Sequence, residues 1–355
     1  MFGLVKITVI VTLHAPIFFC FLSFMKVLVT GGAGFIGSHV AKHLLKQFND
    51  VVVLDDLSGG FESNVPLGAK FVAGSITDQA LVSALFDTYK FDYVFHLAAY
   101  AAEGLSHFIK RFNYENNLMG SINLINESVK HKVKCFVFTS SIAVYGEGQL
   151  PMRENMTPIP EDPYGNAKLA VENELRITHD MFNLNYVIFR PHNVYGENQN
   201  LGDRYRNVIG IFMNQLMQNQ PLTVYGDGEQ TRAFSYIDDV APYIAQCIKI
   251  PEAKNQIFNI GADQHFTVNE LASHVMEAMQ KKGTINYLPH RNEVAHVFSD
   301  HTRARKVFEI TDFVSLKDGL NRMATWAKKN GSRKSKPFQN IEIYNKLPKH
   351  WLDPQ

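Results

Sequence analysis

Only three cysteines, Cys20, Cys135 and Cys247, occur in the 355 residues, far apart and without a C-x-x-C pair. That spacing leaves no basis for a disulfide scaffold or a structural zinc site, and it fits a reducing compartment. No histidine cluster has ligand spacing, so no metal is expected. An excess of one charge is missing too: 35 Lys and Arg against 34 Asp and Glu leave a formal net charge of +1. Such a chain carries no electrostatic footprint for nucleic acid or for an anionic membrane surface, and any anionic partner must be met by a few placed side chains. Internal repeats and low-complexity segments are absent as well. What is plentiful is apolar residues, 46% of the chain, enough to bury a sizeable core in two domains or one large α/β unit.

One long apolar run stands at the start, residues 1–24, MFGLVKITVIVTLHAPIFFCFLSF, with Lys6 and His14 as its interruptions. Its composition suits a signal peptide or membrane anchor. Against that, Pro16 breaks the run, no small-residue cleavage site stands out, and Met25-Lys26-Val27-Leu28-Val29 begins a buried strand with no linker. Two readings stay open: an upstream extension with Met25 as the working start, or an anchor or targeting segment. The expected location is cytoplasmic under the first, and membrane-associated only under the second.

From Lys26 onward, short β-branched runs alternate with helical patterns: KVLVT, VVVL, KFVA, DYVFHLAA, KCFVFTSS, NYVIFR and, later, IFNI. The alternation predicts an α/β fold with a doubly wound parallel sheet. Between the strands, Val40, Leu44 and Phe48 recur at helical spacing, as do Leu118, Ile122, Ile125 and Val129, each stripe facing the sheet. After about Arg190 the pattern loosens into loops rich in Gly, Asn and Asp, interrupted by a helical stretch from Val208 to Gln218, and predicts a smaller, partly interleaved lobe. The tail from Asn330, with its SRKSK run, reads as solvated surface followed by a packed end.

Between the first strand and the first helix lies TGGAGFIG. Gly32-x-Gly34-x-x-Gly37 fits the dinucleotide fingerprint, and Gly31-x-x-Gly34-x-x-Gly37 fits the spacing of short-chain dehydrogenases. Glycines allow the tight turn and the close approach of backbone to a diphosphate, while the helix N-terminus offers its positive dipole. The strand-before, helix-after context makes the motif informative. Asp55 lies eighteen residues beyond Gly37, at the end of the second strand, where a carboxylate accepts both ribose hydroxyls and repels a 2′-phosphate. NAD is therefore the expected cofactor, with Asp56 able to share the role. The first part of the chain, 25–190, is thus read as a Rossmann-type NAD-binding domain. Residues 191–340 form a substrate-binding lobe, part of which, about 236–262, returns to the first domain, and 341–355 are a C-terminal tail.

In DPYGNAKLAVE, Tyr164 and Lys168 are four apart and share a helix face with Val171 and Leu175. A neighbouring ammonium and a positive nicotinamide ring both stabilise phenolate, so Tyr164 is expected to titrate well below the usual tyrosine value of about 10. That would make it a base usable near neutral pH. Upstream, SSIAVYG puts Ser140 and Ser141 at a strand end.

TGGAGFIG, HLAA, SSIAVYG, YGNAK and RPHNVYG together resemble the extended short-chain dehydrogenase/reductase family, and especially its nucleotide-sugar 4-epimerases, over essentially Lys26 to Lys329. The resemblance implies a catalytic set of Ser141, Tyr164 and Lys168, with Thr139 near the reacting sugar hydroxyl. It implies cofactor contacts from Gly31, Gly34, Phe35, Ile36, Gly37, Asp55, Asp56, Ser75, Ile76, Leu97, Ala98, Ala99, Tyr164, Lys168 and Pro191. It further implies that Arg232 and Arg291 clamp the diphosphate of a UDP-sugar, that Asn193 contacts phosphate or sugar, that Tyr225 lies beside the uracil, and that the protein is a homodimer built on helices around 117–131 and 164–179. Relatives that eliminate water carry an Asp-Glu pair where this chain has Ile142-Ala143, and decarboxylating relatives usually keep a Glu at the position of Ala143. Without those acid-base partners, what remains is oxidation at one carbon and return of hydride to the other face.

Several positions depart from the family pattern. Ser75 replaces the usual acid before Ile76, Ala101 stands where galactose epimerases commonly have a lysine, and NLGDRYRNVIG differs from their loop. Val297 falls where a bulky tyrosine excludes N-acetyl sugars in some relatives, so glucose/galactose, N-acetylated and uronic substrates all stay open. His96 and His192 read as packing residues, and Glu103 as a surface residue. Two other functions remain in view: a net NAD(P)-dependent dehydrogenase or reductase of nucleotide sugars, and a non-catalytic dinucleotide-binding protein, against which the intact Ser141, Tyr164 and Lys168 set counts.

Overall fold

The computed structural model describes residues 25–148, 150–290, 294–334 and 338–351. The N-terminal run with its two readings, and the expected diphosphate ligand Arg291, lie outside the described residues.

The main sheet is parallel throughout, as the alternation of strands and helices predicts. Its strands are β1 (Lys26–Thr30), β2 (Asp50–Asp55), β3 (Lys70–Ala73), β4 (Tyr93–His96), β5 (Cys135–Thr139), β6 (Tyr186–Pro191) and a seventh strand, Gln256–Ile260. They run in the order β3-β2-β1-β4-β5-β6, and Gln256–Ile260 pairs with β6 at the edge, so the chain returns to this sheet late. Successive side chains point to opposite faces, which divides the core in two. Val27 and Val29 pack with Val51, Val53 and the helix α1 (Phe35–Leu44) on one side. Leu28, Val52 and Leu54 pack with Phe86, Leu124 and Val171 on the other, against α2 (Gln79–Tyr89), α3 (110–130) and α4 (Pro163–Phe182). α3 is made of three joined pieces, Lys110–Tyr114, a π turn Glu115–Met119, and Gly120–Lys130.

Strand order reverses between β1 and β4, and at such a switch point a crevice opens beyond the carboxyl ends of the strands. Everything that follows is mounted on that rim. α4 starts there because Asp162 caps it, its carboxylate accepting from Gly165 N at 2.8 Å, with Pro163 at the first helical position. A buried ion pair fixes the middle of α4 to the ends of β5 and β6: Glu172 accepts from Arg190 Nε at 2.9 Å and from Ser140 Oγ at 2.5 Å. Removing one partner of such a pair strands a buried charge and costs about 3–5 kcal/mol.

Among the described residues, the second lobe holds three small sheets. Val194–Tyr195 pairs with Ser235–Tyr236; Thr231–Ala233 lies between His265–Thr267 and His296–Val297; and Leu222–Tyr225 pairs with Ile285–Leu288. The helices Val208–Met217 and Val268–Met279 pack on them, the second opened by a capping box between Thr267 and Glu270. After the helix Leu316–Asn330 the chain doubles back, and Leu347 and Trp351 bury against Ala102, Leu105 and Ile109. The Glu342 carboxylate accepts from Arg111 N and Phe112 N, each at 2.9 Å, so the tail caps the start of α3. Among the described residues, no helix is long and apolar enough to cross a membrane.

Candidate active site

A cleft of about 580 Å³ runs between the sheet rim and the second lobe. Gly31, Gly34, Phe35, Ile36, Gly37, Asp55, Asp56, Ser75, Ile76, Leu97, Ala98, Ala99 and Pro191 line one part of it, with Thr139, Ser141, Tyr164 and Lys168. Asn193, Tyr225, Arg232 and Val297 line it from the second lobe. Every site residue expected from the sequence is thereby brought to one cavity, apart from Arg291, whose place lies outside the described residues.

The turn after β1 admits only glycine at its tightest points. Gly31 has φ +72°, and a Cβ there would stand 2.7 Å from Ala98 N; one on Gly37 would stand 2.0 Å from Gly31 O. Asp55 ties this turn to the end of β2, accepting from Ala33 N at 3.0 Å and from Leu57 N at 2.8 Å. Burial raises its pKa and the backbone donors oppose that rise. Each carboxylate oxygen has a further lone pair to offer a ribose hydroxyl. Asp56 is exposed and accepts from Ser58 N at 2.9 Å in the same turn. Ser75 is turned toward Thr77, Oγ to Oγ1 2.9 Å.

Ser141, at the end of β5, is extended and caps the 3₁₀ turn Ile142–Val144, its Oγ accepting from Ala143 N at 3.1 Å. The same hydroxyl is close enough to the Tyr164 phenol to favour the phenolate in part. Lys168 lies one turn further along α4, where Nζ donates to Thr139 O at 2.8 Å and sits 4.6 Å from the Phe138 ring centroid and 5.7 Å from that of Tyr164. Burial pulls the lysine down to about 7, with Glu172 opposing. Without a dinucleotide beside it, the protein's own groups push Tyr164 above the ordinary value. Burial is the main cause, the charge of Glu103 adds to it, and the nearby Ser141 hydroxyl only offsets part. The ammonium is bonded to a carbonyl rather than to the phenol, so lowering requires further positive charge beside the ring, which oxidised nicotinamide carries.

Thr139 Oγ1 is buried without a hydrogen-bond partner among the described residues. A buried polar atom left so at the edge of a cleft is suited to a ligand hydroxyl. This atom, the glycine cradle and the Asp55 carboxylate together fit a dinucleotide.

At the other end, the Arg232 guanidinium is held by main-chain carbonyls, donating to Ala295 O at 2.7 Å and Val294 O at 2.6 Å. Asn193, in the left-handed region at φ 39°, donates to Ala233 O at 3.1 Å. Tyr225 accepts from the Trp351 indole at 3.3 Å. Trp351 and Arg206 both line the cleft and escaped the sequence reading. The signal for Trp351 was the spacing of Phe338, Ile341, Leu347 and Trp351 in an otherwise polar tail.

His96 is buried between Thr30 Oγ1 and Ser121 Oγ, 2.8 Å from each, and burial holds it neutral. His192 reaches the cleft wall but is stacked on His301, Nε2 to Nε2 3.0 Å, and burial pulls it to about 3. Glu103 is exposed at the cleft mouth. Among the described residues no group of three His, Cys, Asp or Glu could hold a metal ion.

The model of the NAD dependent epimerase/dehydratase family matches residues 27–261. UDP-glucose 4-epimerase of Halalkalibacterium halodurans is 35% identical over 262 residues, 70% of this chain and 78% of that protein. A dTDP-D-glucose 4,6-dehydratase of Dictyostelium discoideum is 32% identical over 274 residues, 71% of this chain and 61% of that protein. Among solved structures, UDP-glucose 4-epimerase of Thermotoga maritima with UDP-glucose superposes with a TM-score of 0.81 at 33% identity, covering 86% of this chain and 99% of that one. UDP-glucuronic acid 4-epimerase of Bacillus cereus, in complex with UDP-glucuronic acid and NAD, gives 0.79 at 30% identity, covering 86% and 100%. Sheet order, glycine turn and matched length agree: the chain belongs to the NAD-dependent epimerase/dehydratase family, an enzyme family whose cofactor is NAD.

Proposed function

We propose that the protein is an NAD-dependent nucleotide-sugar 4-epimerase that inverts C4 of a UDP-sugar through a transient 4-keto intermediate. The observation that carries this reading is the turn Ile142–Val144: Ile142 and Ala143 face the cleft beside Ser141 with no ionisable group between them. Elimination of water needs a general acid and a base at the carbons next to the oxidised one, and an apolar pair supplies neither.

NAD, held by the glycine turn and Asp55, would supply the acceptor and donor of the C4 hydride. Ser141 holds the reacting hydroxyl, and Tyr164 takes its proton and later gives it back. Lys168 keeps its ammonium under the tyrosine ring, anchored on Thr139 O. Between the two transfers the keto sugar must turn without leaving, so its grip lies at the nucleotide end, on Arg232, Asn193 and Tyr225, with Arg291 as the second clamp. Val297 leaves space beside the sugar for a bulky substituent.

The exposed apolar residues Met119 on α3 and Ile177, Met181 and Phe182 on α4 support a homodimer built on these helices. Buried, unpaired Cys135 and Cys247 support a reducing compartment, the cytoplasm.

The test is to incubate protein starting at Met25 separately with UDP-glucose, UDP-N-acetylglucosamine and UDP-glucuronate, following products by NMR and reduced cofactor by absorbance. A C4 epimer without net NADH is the expected result. A 4-keto-6-deoxy product overturns it in favour of dehydration, and stoichiometric NADH in favour of a net dehydrogenase.

A further inference from the structure

We infer that Arg206 is the cation that neutralises the diphosphate of the bound dinucleotide. A diphosphate brings two negative charges to the glycine turn, while a helix N-terminus offers about half a positive charge. Before its last turn α1 carries His39 as its one basic side chain, and that ring pairs with Glu197 O at 3.0 Å while burial lowers its pKa. Lys168 is committed to Thr139 O, and Arg232 is tied to carbonyls of the second lobe. Any side-chain cation at the glycine turn must therefore come from elsewhere.

Arg206 comes from the loop ahead of the helix Val208–Met217, yet it reaches across to the rim of the main sheet. Its Nη2 lies 3.1 Å from where a Cβ on Gly59 would stand, and the adjoining Gly60 abuts the glycine turn, a Cβ there standing 2.7 Å from Gly34 N. The guanidinium carbon is 5.0 Å from the centroid of the Tyr100 ring, in the loop after β4. These neighbours place the charge between the loops that follow β2 and β4, beside the segment that abuts the glycine turn, and its field also reaches the Tyr164 phenol. Asp203 orients it, accepting from Nε at 2.5 Å and pairing with Nη2. The Nη1 edge has no hydrogen bond among the described residues, and the side chain, 18% exposed, lines the cleft. A planar donor fork held by a carboxylate on one edge and an aromatic face is a diphosphate ligand in the making. Because Arg206 belongs to the second lobe, cofactor binding would also tie the two lobes together.

Calorimetry of dinucleotide-free enzyme with NAD, ADP-ribose and UDP tests this for wild type, Arg206→Met and Arg206→Lys. Loss of a charge-assisted contact predicts about a tenfold or greater weakening of NAD and of ADP-ribose in Arg206→Met. Partial recovery is expected in Arg206→Lys, with UDP changed by less than about threefold. NAD and ADP-ribose affinities that stay at wild type overturn the assignment. So does a selective loss of UDP affinity, which would place Arg206 on the sugar nucleotide, and so does an equal loss of all three ligands, which would mark a fold defect. No sugar enters these titrations, so their outcome is independent of which reaction the enzyme performs.

Discussion

The Lys168 ammonium donates to the Thr139 carbonyl at 2.8 Å and rests on the Phe138 ring, buried, while it stands 5.7 Å from the centroid of the Tyr164 ring. The lysine thus anchors α4 to the end of β5 and acts on the tyrosine through space rather than by contact.

That placement makes stability depend on pH in a defined direction. The folded-state pKa of Lys168 is about 7 against an ordinary 10.5, with burial the main cause. Between those values the folded state binds fewer protons than the unfolded, so this lysine's contribution becomes more favourable as pH rises from 7 to 10.5, and its penalty is complete below 7. Lys168→Met removes the group. Urea unfolding of dinucleotide-free protein should show the variant gaining most on wild type at pH 6, on the order of a few kcal/mol, with the difference closing toward pH 10. A difference that does not vary with pH would contradict the assignment.

Tyr164→Phe keeps the ring in its buried seat and removes only the proton carrier. Turnover should fall by about 10³-fold while NAD affinity changes little. Ser141→Ala should cost less, about 10-fold to 100-fold, because the tyrosine stays in place. Epimer formation followed by NMR, with cofactor affinity measured in parallel, separates loss of chemistry from loss of cofactor.

Asp55 has two structural bonds besides its expected ribose contact. Asp55→Ala should therefore lower stability, by about 1–3 kcal/mol for the two freed amides, as well as weaken NAD. It should also narrow the preference for NAD over NADP, since the carboxylate that repels a 2′-phosphate is gone. Thermal unfolding and titration with both cofactors check the two effects; a preference unchanged in the variant would move the discrimination to Asp56.

The strands were legible because buried parallel strands are written as continuous β-branched runs, as in Val51-Val52-Val53. The glycine turn and the Tyr164–Lys168 pair were legible because their spacing is local. What depends on distant parts of the chain was not. The tyrosine's upward shift comes from burial that only the assembled cleft creates, and Arg206 meets Gly59 and Tyr100 only after the second lobe folds over the sheet. Helical spacing around Leu118 to Val129 gave α3, but not its π turn. That turn aims the Asn117 amide at the loop after β4, accepting from Tyr100 N at 2.8 Å and donating to Tyr100 O at 3.1 Å.

The tail supplies the last prediction. Trp351 is 3% exposed, its carbonyl accepts from Tyr205 Oη at 3.4 Å, and its indole donates to Tyr225, the residue expected beside the uracil. Emptying this position removes a packed indole, so Trp351→Ala should cost about 3–5 kcal/mol if the tail cannot collapse into the space. Because Trp351 also lines the cleft, the variant should raise KM for the sugar nucleotide, about tenfold, with NAD affinity intact. Trp351→Phe should recover most of the stability but not the hydrogen bond to Tyr225, and so only part of the KM. Unfolding curves and steady-state kinetics on both variants decide the matter: lower stability with unchanged KM would make the tail a clamp on α3 alone, whereas a KM that follows the indole makes the C-terminal segment a wall of the substrate site.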